Sequence, residues 1–200
     1  MGSLRVVVVN NYPEGMGRAA LRRIKRSLKS LGAKPLTASP TRGWPQVFDA
    51  AVLTGTSPRG AISRSWLKEE LKMLGELKVP VLGICFGLHL LAQRLGIPLV
   101  KMERRRIGFK EVEVVEEDSL FEGLRRLVVW ENHRLRLSKS AFHNPRVKVL
   151  ASSTENPVEA LKVRDKPVYG VQFHPERHDE ERKFGLLVLR NFLEIARQLA

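Results

Sequence analysis

The segment PVLGICFGLHLLAQRLG, Pro80–Gly96, holds the single cysteine of the chain, Cys85, between Gly83 and Gly87. An apolar, strand-like run precedes it and a helical pattern follows. A reactive side chain on a sharp strand-to-helix turn needs small neighbours, because the backbone is crowded there. The turn would expose the sulfur at a helix N-terminus. There the dipole favours thiolate over thiol, and free N–H groups can hold an oxyanion. The competing reading is a small buried core residue, the commonest fate of a free cysteine. The G-x-C-x-G pattern alone leaves both open.

A cysteine nucleophile needs a base and a group that orients the base. Five histidines are available: His89, His133, His143, His174 and His178. In VYGVQFHPERH, His174 follows an apolar strand-like run and precedes Pro175 and Glu176. If that strand is parallel to the one before Cys85, its end lies beside the elbow. A carboxylate two residues on can then accept the other imidazole N–H and fix the tautomer. Cys85, His174 and Glu176 thus form a candidate triad. His178 reads as an exposed residue at the start of the last helix, and His143, in SAFHNP, as a loop residue. A metal pair of His174 and His178 is disfavoured by Pro175 and by the lack of a third ligand.

Alternating elements must position these residues. RVVVVN, Arg5–Asn10, is short and wholly apolar, as a strand buried on both faces is. RAALRRIKRSLKSLG keeps Leu21, Ile24, Leu28 and Leu31 at helical spacing and stops at Gly32. KPLTA is a second strand, Ala50–Gly55 a third, Ser63–Leu77 a helix and Val79–Ile84 a fourth strand. The pattern predicts an α/β fold with a doubly wound, mostly parallel sheet flanked by helices and sites at the carboxyl ends of its strands. After residue 105 the period changes to two in GFKEVEVVEED, VWENHRLRLS and RVKVLAS, which predicts added antiparallel strands with one solvated face. The last segment, DEERKFGLLVLRNFLEIARQLA, reads as a helix with its acids at the N-terminus and a stripe of Phe184, Val188, Phe192, Ile195 and Leu199.

The 200 residues suit one domain, 1–200, with 43% hydrophobic and 28% charged residues. No apolar run approaches the roughly 18 residues of a membrane span. The four valines near the start read as a strand rather than a signal peptide. One cysteine excludes an internal disulfide and a cysteine-cluster zinc site and suits a reducing cytoplasm. The net charge of +14 is spread rather than gathered into an aromatic-studded patch, which argues against nucleic acid and for solvated helix faces, with room for an acidic partner. The scarcity of Asn and Gln beside many charges is the composition of heat-adapted proteins.

GICFG followed by LLA, together with GVQFHPE, resembles the class I glutamine amidotransferases along the whole chain. The resemblance implies a flavodoxin-like fold, a Cys85 nucleophile, His174 as general base and acid and Glu176 as its partner. LTGTSPRG falls where the family carries a glycine-rich oxyanion loop, so the backbones of Gly55 and Thr56 would assist the Phe86 N–H. VWENHR resembles the glutaminase domains of GMP synthases and implies that Asn132 and His133 line the glutamine pocket. NNYPEG resembles the anthranilate and aminobenzoate synthase branch instead. Where the family reads His-Gln after the elbow, this chain has Leu88 and His89. His89 either replaces the family's glutamine as a substrate donor, marks a changed ligand, or packs against the sheet.

The activity implied is hydrolysis of glutamine to glutamate and ammonia through a Cys85 γ-glutamyl thioester, with no metal or organic cofactor. The ammonia would pass to a separate ATP-dependent synthetase, since 200 residues leave no room for the acceptor domain. The rival readings are a stand-alone γ-glutamyl hydrolase and a non-catalytic regulatory subunit.

Overall fold

The computed structural model describes residues 2–40, 43–57 and 67–200. A nine-stranded mixed sheet runs through it in the order β2-β1-β3-β4-β9-β8-β7-β5-β6. The parallel part consists of β1 (Arg5–Val9), β2 (Lys34–Ala38), β3 (Ala50–Leu53), β4 (Val81–Ile84) and β9 (Val168–Val171). Its order is that of a flavodoxin-like sheet. The antiparallel part consists of β5 (Leu99–Val114), β6 (Arg126–Leu137), β7 (Val147–Ser152) and β8 (Ala160–Val163). It therefore begins at Leu99 and includes β8, which the period-two segments did not mark.

The valines of β1 show why the parallel strands are apolar throughout. Val6 and Val8 face a core shared with Ile24 and Leu28 of α1 (Arg18–Ser30) and Val188 and Phe192 of α4 (Phe184–Leu199). Val7 and Val9 face the other side, where Leu74 of α2 (Leu67–Glu76) and Leu90 of α3 (Phe86–Arg94) cover them. A strand between two helical layers has no wet face to mark with polar residues.

Helix α1 stops as its sequence implies, with Gly32 at φ +82°. Its Arg18, Arg22, Arg23, Arg26 and Lys29 are exposed. The expected helix over Ser63–Leu77 is seen from Leu67 to Glu76; Ser63–Trp66 lie outside the described residues, as do Thr41 and Arg42 of the SPTRGWP loop and Pro58–Gly60 of LTGTSPRG.

The last helix departs from expectation in two respects. It begins at Phe184, so Asp179, Glu180 and Glu181 precede it. The Asp179 carboxylate instead accepts the backbone N–H and guanidinium of Arg182, forming a local turn. Leu199 is exposed rather than on the core stripe, which Leu189, Leu193 and Ala196 complete. Among the described residues no helix is long and apolar enough to cross a membrane.

Candidate active site

Strand β4 ends at Ile84, helix α3 begins at Phe86, and Cys85 alone makes the turn, with φ 52° and ψ −96°. This left-handed backbone is unfavourable for a residue with a side chain, and such strain persists only where packing over-determines it. The flanking glycines supply that packing. A Cβ on Gly83 would stand 2.6 Å from the carbonyl carbon of Gly87, and one on Gly87 would stand 2.7 Å from the Leu53 carbonyl oxygen. Helix α3 can thus lie directly on the ends of β3 and β4. The Cys85 N–H donates to the Val171 carbonyl at 2.7 Å, tying the turn to the end of β9.

Because β9 lies beside β4 and runs parallel to it, the chain beyond Val171 delivers His174 to the elbow. The His174 N–H donates to the Trp130 carbonyl at 2.7 Å, so β6 holds this segment from the other side. His174 Nδ1 lies 2.9 Å from Glu176 Oε1, and both residues are buried. Burial alone would lower the proton affinity of His174. The Glu176 carboxylate and a hydrogen bond with Cys85 outweigh it and raise the pKa to about 10.

The turn after β3 closes the site. The Thr54 hydroxyl accepts the Asn11 N–H and donates to the Gly55 carbonyl, while the Thr56 hydroxyl donates to the Asn11 carbonyl. A Cβ on Gly55 would lie 3.2 Å from His174 Cε1, 3.5 Å from the Tyr12 hydroxyl and 3.7 Å from Cys85 Cβ. Gly55 therefore abuts both members of the cysteine–histidine pair. Phe86, one residue beyond the sulfur, opens α3, so its N–H lies in the first turn of that helix.

One cavity of about 580 Å³ brings together Cys85, Phe86, His174, Thr56, His89, Asn132 and His133, a size that suits a small molecule. The two polar residues of β6 differ in what they offer it. The buried Oδ1 of Asn132 has no hydrogen-bond partner among the described residues. His133 is braced at both ring nitrogens, by the Leu135 carbonyl at 2.9 Å and Glu131 Oε2 at 2.8 Å, so it lines the cavity without a free ring nitrogen.

Glu131 belongs to a network in which buried Arg106 binds Glu131 and the exposed Glu155 and approaches buried Glu159 at 3.9 Å. Burial pushes Glu131 up, but His133 and Arg106 together bring it below the usual carboxylate range. Glu159, buried near the Glu131 charge, is held well above that range.

His89 is buried on α3 and packs at the cavity wall, with Nε2 3.0 Å from Gln172 Oε1. Gln172 Nε2 in turn lies 3.7 Å from Cys85 Sγ. Burial lowers the pKa of His89 to about 4. His178 is half-buried rather than exposed and does not begin the last helix; its Nε2 lies 2.9 Å from the Ser27 hydroxyl of α1. His143 is exposed at the end of a 3-10 turn.

Two residues of the site were not singled out from the sequence. Gln172 lies inside GVQFHPE, in a position that reads as strand. Tyr12 follows β1, in NNYPEG; it lines the cavity, and burial with the charges of Glu176 and Cys85 raises its pKa to about 12. The signal available for Tyr12 was its place at the carboxyl end of β1, where a sheet of this order changes direction.

Comparison with known proteins agrees with this architecture. Residues 22–195 match the glutamine amidotransferase class-I family. The glutamine-hydrolyzing GMP synthase subunit of Pyrococcus abyssi is 41% identical over 130 residues, which cover 64% of this chain and 66% of that protein, just under two thirds of its length. The protein of that name from Sulfolobus acidocaldarius is 33% identical over 188 residues, 88% of this chain and 92% of its own. A crystal structure described as a candidate GMP synthase subunit from Thermoplasma acidophilum superposes with a TM-score of 0.84 at 27% identity, covering 99% of this chain and 96% of that one. With 174 of its 200 residues inside the family match and its sheet in the corresponding order, the chain belongs to the class I glutamine amidotransferases.

Proposed function

We propose that the chain hydrolyses glutamine to glutamate and ammonia as the glutaminase subunit of a two-chain amidotransferase, with a Cys85, His174 and Glu176 triad. The observation that carries this reading is a strained cysteine at a helix N-terminus, in one cavity with a buried histidine whose far nitrogen meets a carboxylate at 2.9 Å.

Glutamine enters with its side-chain amide over the sulfur. The thiolate of Cys85 attacks the amide carbon, and the oxygen takes up the negative charge. The N–H of Phe86 and those of Gly55 and Thr56 are the donors assigned to this oxyanion. The tetrahedral adduct collapses as the His174 imidazolium gives its proton to the departing nitrogen, and ammonia leaves. A high proton affinity at His174 suits this step, because the acid is already charged at neutral pH. The γ-glutamyl thioester remains. Neutral His174 then takes a proton from water, the hydroxide adds to the thioester carbon, and collapse expels the thiolate. Glutamate departs, and His174 again holds its proton. Asn132, whose Oδ1 has no partner among the described residues, is the cavity group assigned to an N–H of the substrate. His133 shapes the wall.

The relatives named as glutamine-hydrolyzing GMP synthase subunits support a separate GMP synthetase chain as the recipient of the ammonia. The test is release of ammonia and glutamate from glutamine by the purified chain, alone and with such a synthetase, with Cys85→Ala as control. Release that the substitution abolishes supports the proposal. A full rate with Cys85→Ala, or no release with either preparation, refutes it.

A further inference from the structure

Gln172 is completely buried between two groups with different demands. Its Oε1 lies 3.0 Å from His89 Nε2, and its Nε2 lies 3.7 Å from Cys85 Sγ. Its backbone N–H donates to the Glu159 carbonyl at 2.7 Å, which anchors the residue at the end of β9. A carboxamide has a donor end and an acceptor end, and its partners decide which end faces which way.

Two arrangements are self-consistent. If His89 carries its proton on Nε2, it donates to Gln172 Oε1, and the amide NH₂ turns to the sulfur. If Nε2 is bare, the amide donates to His89 and presents oxygen lone pairs to the sulfur. Against a thiolate the first arrangement is attractive and the second repulsive. Burial keeps His89 neutral, so its one ring proton can occupy Nε2 and leave Nδ1 bare.

We propose that Gln172 is a catalytic residue that donates an N–H to the Cys85 thiolate, and that His89 is a positioning residue that locks the Gln172 amide in the donating orientation. The assignment rests on the nucleophilic role given to Cys85 above. It also accounts for His89 in a place where the family pattern reads Gln: the Nε2 proton is directed at Gln172 rather than at the substrate.

Cys85 is the sole cysteine, so alkylation by iodoacetamide followed by intact mass reports its thiolate without any turnover of glutamine. The variants are Gln172→Glu, which puts an acceptor-only carboxylate at the sulfur; Gln172→Met, which keeps the volume without the donor; His89→Leu, which removes the lock; and His89→Gln, which restores a donor near Nε2. Folding of each is followed by thermal melting, and rates are compared between folded proteins.

The expected alkylation rate at pH 7 falls about tenfold to a hundredfold in both Gln172 variants, as loss of a hydrogen bond to a charged group implies. It falls about threefold to tenfold in His89→Leu and recovers to within about twofold in His89→Gln. The pH–rate curve moves to higher pH in the variants that slow. A structural role alone would lower melting temperatures and leave these curves superimposed. Superposition of the Gln172→Met curve on the unsubstituted one overturns the donor role. Loss in Gln172→Met with no change in His89→Leu overturns the lock. If the expected order holds but no preparation releases ammonia, this inference stands and the glutaminase reading is the one that fails.

Discussion

Replacing Glu176 by Gln removes a charge 2.9 Å from His174 Nδ1 and keeps an oxygen that can accept its N–H. At an effective dielectric constant of about 20, opposite charges about 3–4 Å apart attract by about 4–6 kcal/mol, equivalent to about 3–4 units of pKa. That is the size needed to lift His174 from 6.5 to about 10 against its burial. Because the amide oxygen of Glu176→Gln still accepts the N–H, about a unit of this is kept, and the imidazolium should lose its proton about 2–3 units lower, near pH 7–8. Long-range proton–nitrogen NMR of ¹⁵N-histidine-labelled protein reads this directly, since the two ring nitrogens shift differently in each protonation state. His174 should stay doubly protonated through pH 9 in the unsubstituted chain and be neutral by then in the variant. Ammonia release at pH 9 should fall about tenfold to a hundredfold, and less at pH 6, where the variant still holds the proton. Stability follows the same titration. A histidine whose folded pKa is raised contributes stabilisation that is complete below the unfolded value of 6.5 and is lost as pH rises through about 10. The melting temperature should therefore decline over that window, and decline less in Glu176→Gln. A neutral His174 at pH 7, or a variant titrating within about half a unit of the unsubstituted chain, would refute the electrostatic argument.

Gly83→Ala should destabilise the chain by about 1–3 kcal/mol, because its Cβ meets backbone rather than a movable side chain; thermal unfolding and slower Cys85 alkylation would register it. Arg106→Met leaves buried Glu131 beside Glu159 with His133 as its remaining partner and should cost about 3–5 kcal/mol, a fall of about 6–20 °C in melting temperature by calorimetry. Glu70 is buried, and burial raises its pKa to about 8, only partly offset by Asn11. A raised carboxyl costs nothing below 4.5 and destabilises increasingly as pH climbs to 8. Glu70→Gln should therefore match the unsubstituted chain at pH 4.5 and exceed it by roughly 2–4 kcal/mol at pH 9 in urea unfolding.

The fold and the elbow were legible for a common reason: both are written in neighbouring residues. Apolar runs of four or five marked the doubly buried strands, and the Gly-x-Cys-x-Gly spacing marked a turn whose glycines prove to touch Gly87 and Leu53. That His174 would reach the elbow required only that two strands be parallel neighbours. What stayed hidden depends on pairings across the sheet. Glu131 and Arg106 look like solvated charges in alternating strands, yet they are buried, brought together by the β5–β6 pairing and met by Glu155 and Glu159 from the β7–β8 connection. His133 looked free to bind a ligand until Glu131 and the Leu135 carbonyl occupied its ring. The acids before Phe184 resembled a helix start, but Asp179 found Arg182 within a tighter local turn. Periodicity reports which face a residue occupies; it is silent on what meets that face.

The place of β9 bears on how the chain comes into being. It is the last strand in the sequence, yet it lies in the middle of the sheet, joining β4 on one side to β8 on the other. During synthesis from the N-terminus, the first four parallel strands emerge with the flank of β4 unpaired, and so do four antiparallel strands that pair with none of them. Only insertion of β9 pairs the two halves into one sheet. The same event carries His174 and Glu176 to Cys85 across 89 and 91 positions of chain. A nascent or truncated polypeptide thus has the thiol without the histidine–carboxylate pair beside it, and the site proposed for the chemistry assembles only with completion of the whole sheet. The arrangement makes completion of the fold the condition for assembling the candidate site, at the expense of a late, long-range pairing of the kind that slows folding.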